Sequence, residues 1–260
     1  MWFANAFSIK YYELLSELTK REIKSRYKQS VLGYAWVILN PFFQMLVMAF
    51  IFSHIMRIPV IGVPYAIFLY VGLLPWTLFA NSLVSSVNSL VNNASLITKI
   101  YLPREVFVLS TIFAKIVDFL LASLVLILFL FWYKTPLTIN LLWFIPIFFI
   151  QQIFTYGLSL LLAAFNLFYR DIQYVLNLGI ILWMYMTPVI YPMELLPERY
   201  RWIFQVNPMA VLVNAYRQIM LSGGSPNLRS LAIAAIVSIV FCIIARSIFK
   251  KLEGVFADVV

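Results

Sequence analysis

Six apolar runs, at about residues 35–56, 65–90, 107–132, 141–166, 173–191 and 230–249, are each long enough to cross a hydrocarbon core of about 30 Å, which takes around 20 helical residues. Inside a bilayer the backbone must satisfy its own hydrogen bonds, so runs of this length predict helices rather than loops or open strands. Composition agrees, because 63% of the 260 residues are hydrophobic and 11% charged, against about a quarter charged in a soluble domain. The sequence therefore predicts an all-α polytopic membrane protein with six transmembrane helices. An even number of crossings puts both termini on one side. Of the 19 Lys and Arg, thirteen fall on that side, and six (Arg57, Lys134, Arg199, Arg201, Arg217 and Arg229) fall on the other. The positive-inside bias makes the terminal side cytoplasmic. The expected plan is one transmembrane domain over 1–260, with an interfacial helix at 1–34, a six-helix core at 35–249 and a cytoplasmic tail at 250–260.

Five of the nine residues from Lys20 to Lys28 are basic, and they stand directly before the first span. Positive charge in that place fixes orientation and attracts anionic headgroups. Upstream, Phe3, Phe7, Tyr11, Leu14 and Leu18 recur every three or four residues opposite Glu13, Glu17, Lys20 and Lys24. That period predicts an amphipathic helix lying on the membrane rather than crossing it. Pro59, Pro64 and Pro136 mark short outer turns. The stretch from Pro188 to Asn227 holds five prolines and Gly223-Gly224, so it must break into short helices. Asn207 is placed to cap a helix with Pro208 in its first turn. Its apolar stripe, Met209, Leu212, Val213, Tyr216 and Met220, suits a re-entrant or gate helix on the outer side between spans five and six.

No glycine belongs to a Gly-x-x-x-x-Gly-Lys-Ser/Thr phosphate loop, so ATP hydrolysis would need a separate chain. Cys242 has no second cysteine and His54 no second histidine, which leaves no thiolate or histidine metal cluster and no cofactor of the chain's own. No cleavable signal peptide is expected at the N-terminus. The net charge of +9 gathers beside spans and so reads as orientation rather than as nucleic-acid binding. Lys115 and Asp118, three apart in the third span, can neutralise one another. A proton-coupled transporter or intramembrane enzyme built on Asp118 would have one carboxylate and no second.

Between the second and third spans, Leu96, Ile97, Lys99, Ile100 and Tyr101 form a short helix stopped by Pro103, with apolar knobs suited to a partner's groove. Two spans carry polar and aromatic stripes at helical spacing: Trp36, Asn40 and Phe43 in the first, Tyr174, Asn177 and Tyr185 in the fifth. These fit helix packing or interfacial belts as well as a pore wall. Gln152, Thr155 and Ser159 in the fourth span are expected to make interhelical hydrogen bonds.

Several motifs follow one another in order. They are the run Arg21 to Gly33 with Trp36 and Pro41, Gly72-x-x-Pro75-Trp76-x-x-Phe79, and Asn93-x-x-Leu96-Ile97-x-Lys99-x-x-x-Pro103-Arg104, then Tyr169-Arg170-Asp171-Ile172, Thr187-Pro188-Val189-Ile190-Tyr191-Pro192, Leu196-Pro197 and Asn207-Pro208. Together they resemble the membrane subunit of bacterial ATP-binding-cassette polysaccharide exporters, nearest those of lipopolysaccharide O-antigen, with teichoic-acid and capsule exporters as relatives. The resemblance implies a permease that is not itself an enzyme, a homodimer in the bacterial inner membrane, and two separate ATPase subunits that hold ATP and Mg. It implies an undecaprenyl-diphosphate-linked polysaccharide as cargo, met at its headgroup by Arg21, Lys24, Arg26 and Lys28. The arginines rank first there because their planar forks suit a diphosphate. Leu32 and Gly33 would form the pore entrance, the two stripes the pore lining, Leu96 to Tyr101 the ATPase coupling helix, and Tyr191 to Ser222 the outer gate. An exporter of drugs or small lipids is the nearest rival.

Overall fold

The computed structural model describes residues 2–28, 30–60, 62–99, 102–136, 138–195, 197–199, 204 and 206–259, with the backbone alone at 2–10, 27, 257 and 258. Every regular element among them is helical. In order these are α1 (Trp2–Tyr27), α2 (Ala35–Ala49) running on as a π-helical turn (Phe50–Ile55), α3 (Tyr65–Val87), a short α4 (Ala94–Lys99) and α5 (Glu105–Trp132). There follow α6 (Phe144–Phe168), α7 (Ile172–Tyr185), α8 (Pro208–Met220), α9 (Leu228–Glu253) and α10 (Phe256–Val259).

Five stretches are long and apolar enough to cross a membrane: Ala35–Ile55, Tyr65–Val87, Glu105–Trp132, Ile139–Phe168 and Leu228–Glu253. The expected sixth is shorter. Helix α7 has 14 residues, a rise of about 21 Å at 1.5 Å per residue, although the apolar run continues to Tyr191. Pro188 is the reason, since it disfavours helical geometry at Thr187 and offers no amide donor. The chain turns over 186–189 instead. Even so, α7 runs from one end of the bundle to the other. At its start the Gln173 amide donates to Asn166 Oδ1 of α6 at 3.2 Å, and past its end Asn207 Nδ2 donates to Thr187 Oγ1 at 3.0 Å.

Helix α3 is the centre, packed against α2, α5, α6, α7 and α8 and buried along most of its length. An aromatic cluster joins it to its neighbours: Phe79 stacks on Phe154 of α6 with centroids 5.8 Å apart and meets Trp183 of α7 edge-on at 5.1 Å. Several polar groups inside this bundle are paired across helices, as suits a lipid-embedded core. Tyr70 Oη donates to the Ala122 carbonyl at 3.1 Å, and Ser86 and Thr111 share a hydrogen bond of 2.9 Å. Gln151 of α6 donates to the Pro75 carbonyl at 2.8 Å and accepts from Tyr216 Oη at 3.0 Å. That corrects the expectation for the fourth span. Thr155 bonds only within its own helix, Gln152 and Ser159 are buried without partners among the described residues, and the interhelical bridge falls one residue earlier, about 100° round the helix.

Asn207 caps α8, its Oδ1 accepting from the Met209 amide at 3.1 Å with Pro208 in the first turn. The α8 stripe is buried, with Met209, Leu212, Tyr216 and Ile219 in the main core. At the other end Leu18 of α1, Ile97 of α4, Phe107 of α5, Phe249 of α9 and Phe256 of α10 share a second core, so both chain termini lie at one end of the bundle. Helices α6 and α9 cross closely, since a Cβ added at Gly157 would stand 2.9 Å from the Cys242 Cα. Because that neighbour is backbone, Gly157→Ala is expected to force the two helices apart at about 1–3 kcal/mol. A lowered unfolding temperature of the purified protein checks this, and Gly179→Ala, with nothing within 4 Å, is the control.

Candidate functional site

Helices α2 and α7 flank α3 and leave their polar stripes uncovered. Trp36, Asn40 and Phe43 on α2, and Tyr174, Asn177 and Tyr185 on α7, are all exposed. Between them α3 uncovers one strip in its second half, with Asn81 and Val84 exposed and Thr77 half-buried, at the i, i+4, i+7 spacing of one helix face. Gln44, one turn beyond Asn40, is exposed as well. The sequence reading missed Gln44, Thr77 and Asn81. Their signal was a polar residue four positions from another inside an apolar run. Asn40, Gln44, Asn81 and Asn177 form no hydrogen bond among the described residues, whereas the amides of Gln151 and Asn166 bond at both of their atoms.

At the approach to α2 the predicted bend is present. Gly33 adopts a φ of 49° with its amide donating to Ser30 Oγ at 3.1 Å, and Leu32 is exposed beside it. A side chain at Gly33 would meet nothing within 4 Å, so the demand for glycine is conformational and not steric. The four basic residues assigned to a headgroup divide into two kinds. Arg26 is engaged: Nη1 donates to Asp118 Oδ2 and Nη2 to Glu22 Oε1, at 2.9 and 2.8 Å. Lys115 reaches the same Asp118 oxygen at 3.5 Å, so Asp118 serves two cations and clamps α1 to α5. Arg21 donates to Asn93 Oδ1 just before α4. Lys24 and Lys28 are exposed at the C-terminal end of α1, where the helix dipole favours positive charge. Both arginines thus have partners within the protein, Asn93 and Asp118 among them distant in sequence.

In α4 the apolar and polar residues face apart. Ile97 is 3% exposed and sits in the terminal core, while Ser95, Thr98 and Lys99 are exposed and Leu96 lies between. Ile97 thus anchors the helix instead of projecting from it. Ile100 and Tyr101 lie outside the described residues. Beside α4, Glu105 is buried and accepts from Tyr156 Oη at 2.8 Å, Arg246 at 3.2 Å and Lys250 at 3.0 Å. The Arg104 amide donates to Glu253 at 2.8 Å, and α10 packs on α4.

At the far end Arg217 of α8 is buried. Its Nε donates to the Phe68 carbonyl at 3.3 Å, Nη1 to that of Pro188 and Nη2 to that of Val189 at 2.5 Å, with the Phe68 ring centroid 3.7 Å away. Tyr65 Oη donates to the Ile190 carbonyl at 2.5 Å. The turn after α7 is therefore stapled to α3 and α8. Sequence gave no hint of this, because Arg217 counts there as one outer cation among six.

A polar face of three helices beside a basic helix, a braced surface helix at the terminal end and a stapled turn at the far end is the anatomy of a membrane permease. Residues 13–221 match the ABC-2 type transporter family, and the chain belongs to it. An O-antigen export system permease protein RfbA of Klebsiella pneumoniae is 37% identical over 249 residues, 95% of each chain. The protein of that name from Myxococcus xanthus is 33% identical over 251 residues, again 95% of each. The polysialic acid transport protein KpsM of Escherichia coli is 24% identical over 238 residues, 90% of this chain and 91% of that one.

Arg217→Met leaves the carbonyls of Phe68, Pro188 and Val189 without their donor, and is expected to cost about 3 kcal/mol or more of stability. Arg217→Lys should recover only part of it, since an ammonium is a point charge without a fork. Thermal unfolding in nanodiscs measures both. Asp118→Asn removes the carboxylate by which Arg26 of α1 is held to α5 and leaves Lys115 without its counter-charge, so a spin-label pair on α1 and α5 is expected to report a longer and broader distance distribution.

Proposed function

We propose that this chain is the transmembrane subunit of an ATP-driven exporter that moves undecaprenyl-diphosphate-linked polysaccharide of the O-antigen type across the bacterial cytoplasmic membrane. The observation that carries the reading is the uncovered polar face of α2, α3 and α7. Amides without partners are costly against lipid, so this face belongs against a second copy and a water-filled path. The names of the relatives that match 95% of the chain support O-antigen as the cargo.

Two copies enclose a pore lined by Trp36, Asn40 and Phe43 of α2 and by Tyr174, Asn177 and Tyr185 of α7, with Thr77 and Asn81 of α3 between them. Aromatic rings and amides suit a sliding glycan, because stacking and hydrogen bonding are both available at each sugar. The whole chain acts as one transmembrane domain, with both termini cytoplasmic. Helix α7 and the turn to Tyr191 make the sixth crossing, α1 lies in the interface, and α8 is the outer gate helix. Two ATPase subunits, which hold ATP and Mg, bear on α4 through Ser95, Leu96, Thr98 and Lys99, with Ile97 and α10 fixing that helix from behind.

Headgroup recruitment falls to Lys24 and Lys28, with Arg21 beside them, while Arg26 holds the loading helix in place. The diphosphate then passes the Leu32–Gly33 bend. Neutralising Lys24 and Lys28 together removes about 1 kcal/mol of surface attraction each. Export in cells is expected to fall by about tenfold or more, with lipid-linked polymer accumulating on the inner leaflet and the protein still inserted. Undiminished export by the Lys24→Gln, Lys28→Gln double variant would contradict headgroup capture by this helix. Normal surface polymer in a strain lacking the chain would contradict the exporter reading itself.

A further inference from the structure

Between α2, α3 and α5, in the half of the bundle nearer the chain termini, lies a cavity of about 280 Å3. Helix α2 lines it with Trp36, Asn40 and Gln44, α3 with Thr77 and Asn81, and α5 with Lys115 and Asp118. Three of these side chains, Asn40, Gln44 and Asn81, are amides with no hydrogen-bond partner among the described residues. Amides that hold this bundle together behave differently: Gln151 and Asn166 are bonded at both ends. Each free amide offers two donors and an acceptor to whatever fills the space.

The charges of the cavity set the class of ligand. Lys115 and Asp118 are 3.5 Å apart and cancel, and Arg26 outside the cavity is matched by Glu22. An anion would gain no net attraction there. A neutral molecule carrying hydroxyls, each both donor and acceptor, can meet the amides and the ion pair together, and the indole of Trp36 offers a flat face for the C–H side of a sugar ring. The volume lies at the lower end for small-molecule sites, about 300 Å3, which suits a single sugar residue and not a length of polymer.

We infer that this cavity is a sugar-binding subsite, one in each chain, set into the wall of the main path, which receives a single residue of the exported glycan. The inference rests on the polysaccharide reading above and adds to it a discrete point of recognition. Asp118 serves both this subsite and Arg26 of α1, so an occupied cavity and the seating of the loading helix share one carboxylate.

Cys242 is the chain's only cysteine, so in a Cys242→Ala background a single Thr77→Cys reports on the cavity by its rate of labelling with a small thiol reagent. The assay uses inverted membrane vesicles that hold the permease with its ATPase, and no sugar-headed detergent. The probes are oligosaccharide released from the host's own lipid-linked polymer, and inorganic pyrophosphate. Oligosaccharide is expected to slow labelling, pyrophosphate to have no effect, and Gln44→Leu or Asn81→Leu each to raise the half-protecting concentration by roughly three- to tenfold. Gln44→Cys is the second reporter should Thr77→Cys fail to insert. Protection by pyrophosphate alone would make this an anion site and overturn the inference. Absence of protection in vesicles that still translocate polymer on addition of ATP would overturn the subsite and leave the exporter reading standing. Vesicles that neither translocate nor show protection would overturn both.

Discussion

A helix that stops inside a bilayer frees carbonyls that have no water to turn to, and each one left unpaired costs several kcal/mol. Helix α7 stops at Tyr185, whose carbonyl accepts from Tyr191 Oη, and in the turn beyond it the carbonyls of Pro188, Val189 and Ile190 are met by Arg217 and Tyr65. Those donors sit on α8 and at the start of α3, so the break in α7, the placement of α8 and the top of α3 stand or fall together. The close fit reaches Gly72 as well, where a Cβ would lie 2.6 Å from Arg217 Nη2. Helix α3 can hold the centre of the bundle because both its ends are tied, the far one by this staple and the near one by Asn166, which donates to the Val87 carbonyl at 3.0 Å.

The terminal end is fixed by charge instead. Glu105 gathers Tyr156, Arg246 and Lys250, and Glu253 holds Arg104 and Lys250. These contacts bind α5, α6 and α9 just where α4 rests on Ile97 and α10. A force applied to α4 therefore acts on the whole bundle, since its apolar side is part of the same core as Phe107 and Phe249. Helix α1 joins that assembly through Leu18 and again through the Arg26 to Asp118 clamp.

What the sequence disclosed and what it withheld divide along the range of the interactions. The apolar runs, the glycine bend at Gly33 and the Asn207 cap with Pro208 depend on neighbours within a few residues, and all were legible. The end of α7 was misplaced because Thr187-Pro188-Val189-Ile190 is as apolar as a helix interior while Pro188 forbids the helix. Arg26 looked free because Asp118 is 92 residues away, and Arg217 looked like an outer surface charge because its acceptors lie 28 to 149 residues away. Ile97 looked like a knob for the same reason: the side of a six-residue helix that faces the protein is set by packing on α10, far along the chain. The polar strip of α3 was hidden differently, since Thr77 and Asn81 stand in a helix most of whose positions are buried.

Pairing also separates polar residues that build this membrane domain from those available to a cargo. Ser86, Thr111, Gln151, Asn166 and Tyr216 all sit on buried helix faces with their hydrogen bonds closed inside the bundle, and closing them is what lipid demands. Asn40, Gln44, Asn81 and Asn177 sit on open faces of the three helices α2, α3 and α7 with none closed. Facing lipid they would be a standing penalty; facing the water-filled path proposed above they would be solvated until sugar hydroxyls replaced the water. The exchange is close to neutral in free energy, because one set of hydrogen bonds is traded for another. On the proposed reading, a surface that gains little from each sugar would hold it only weakly, and weak, repeated contact would let a long chain move across it.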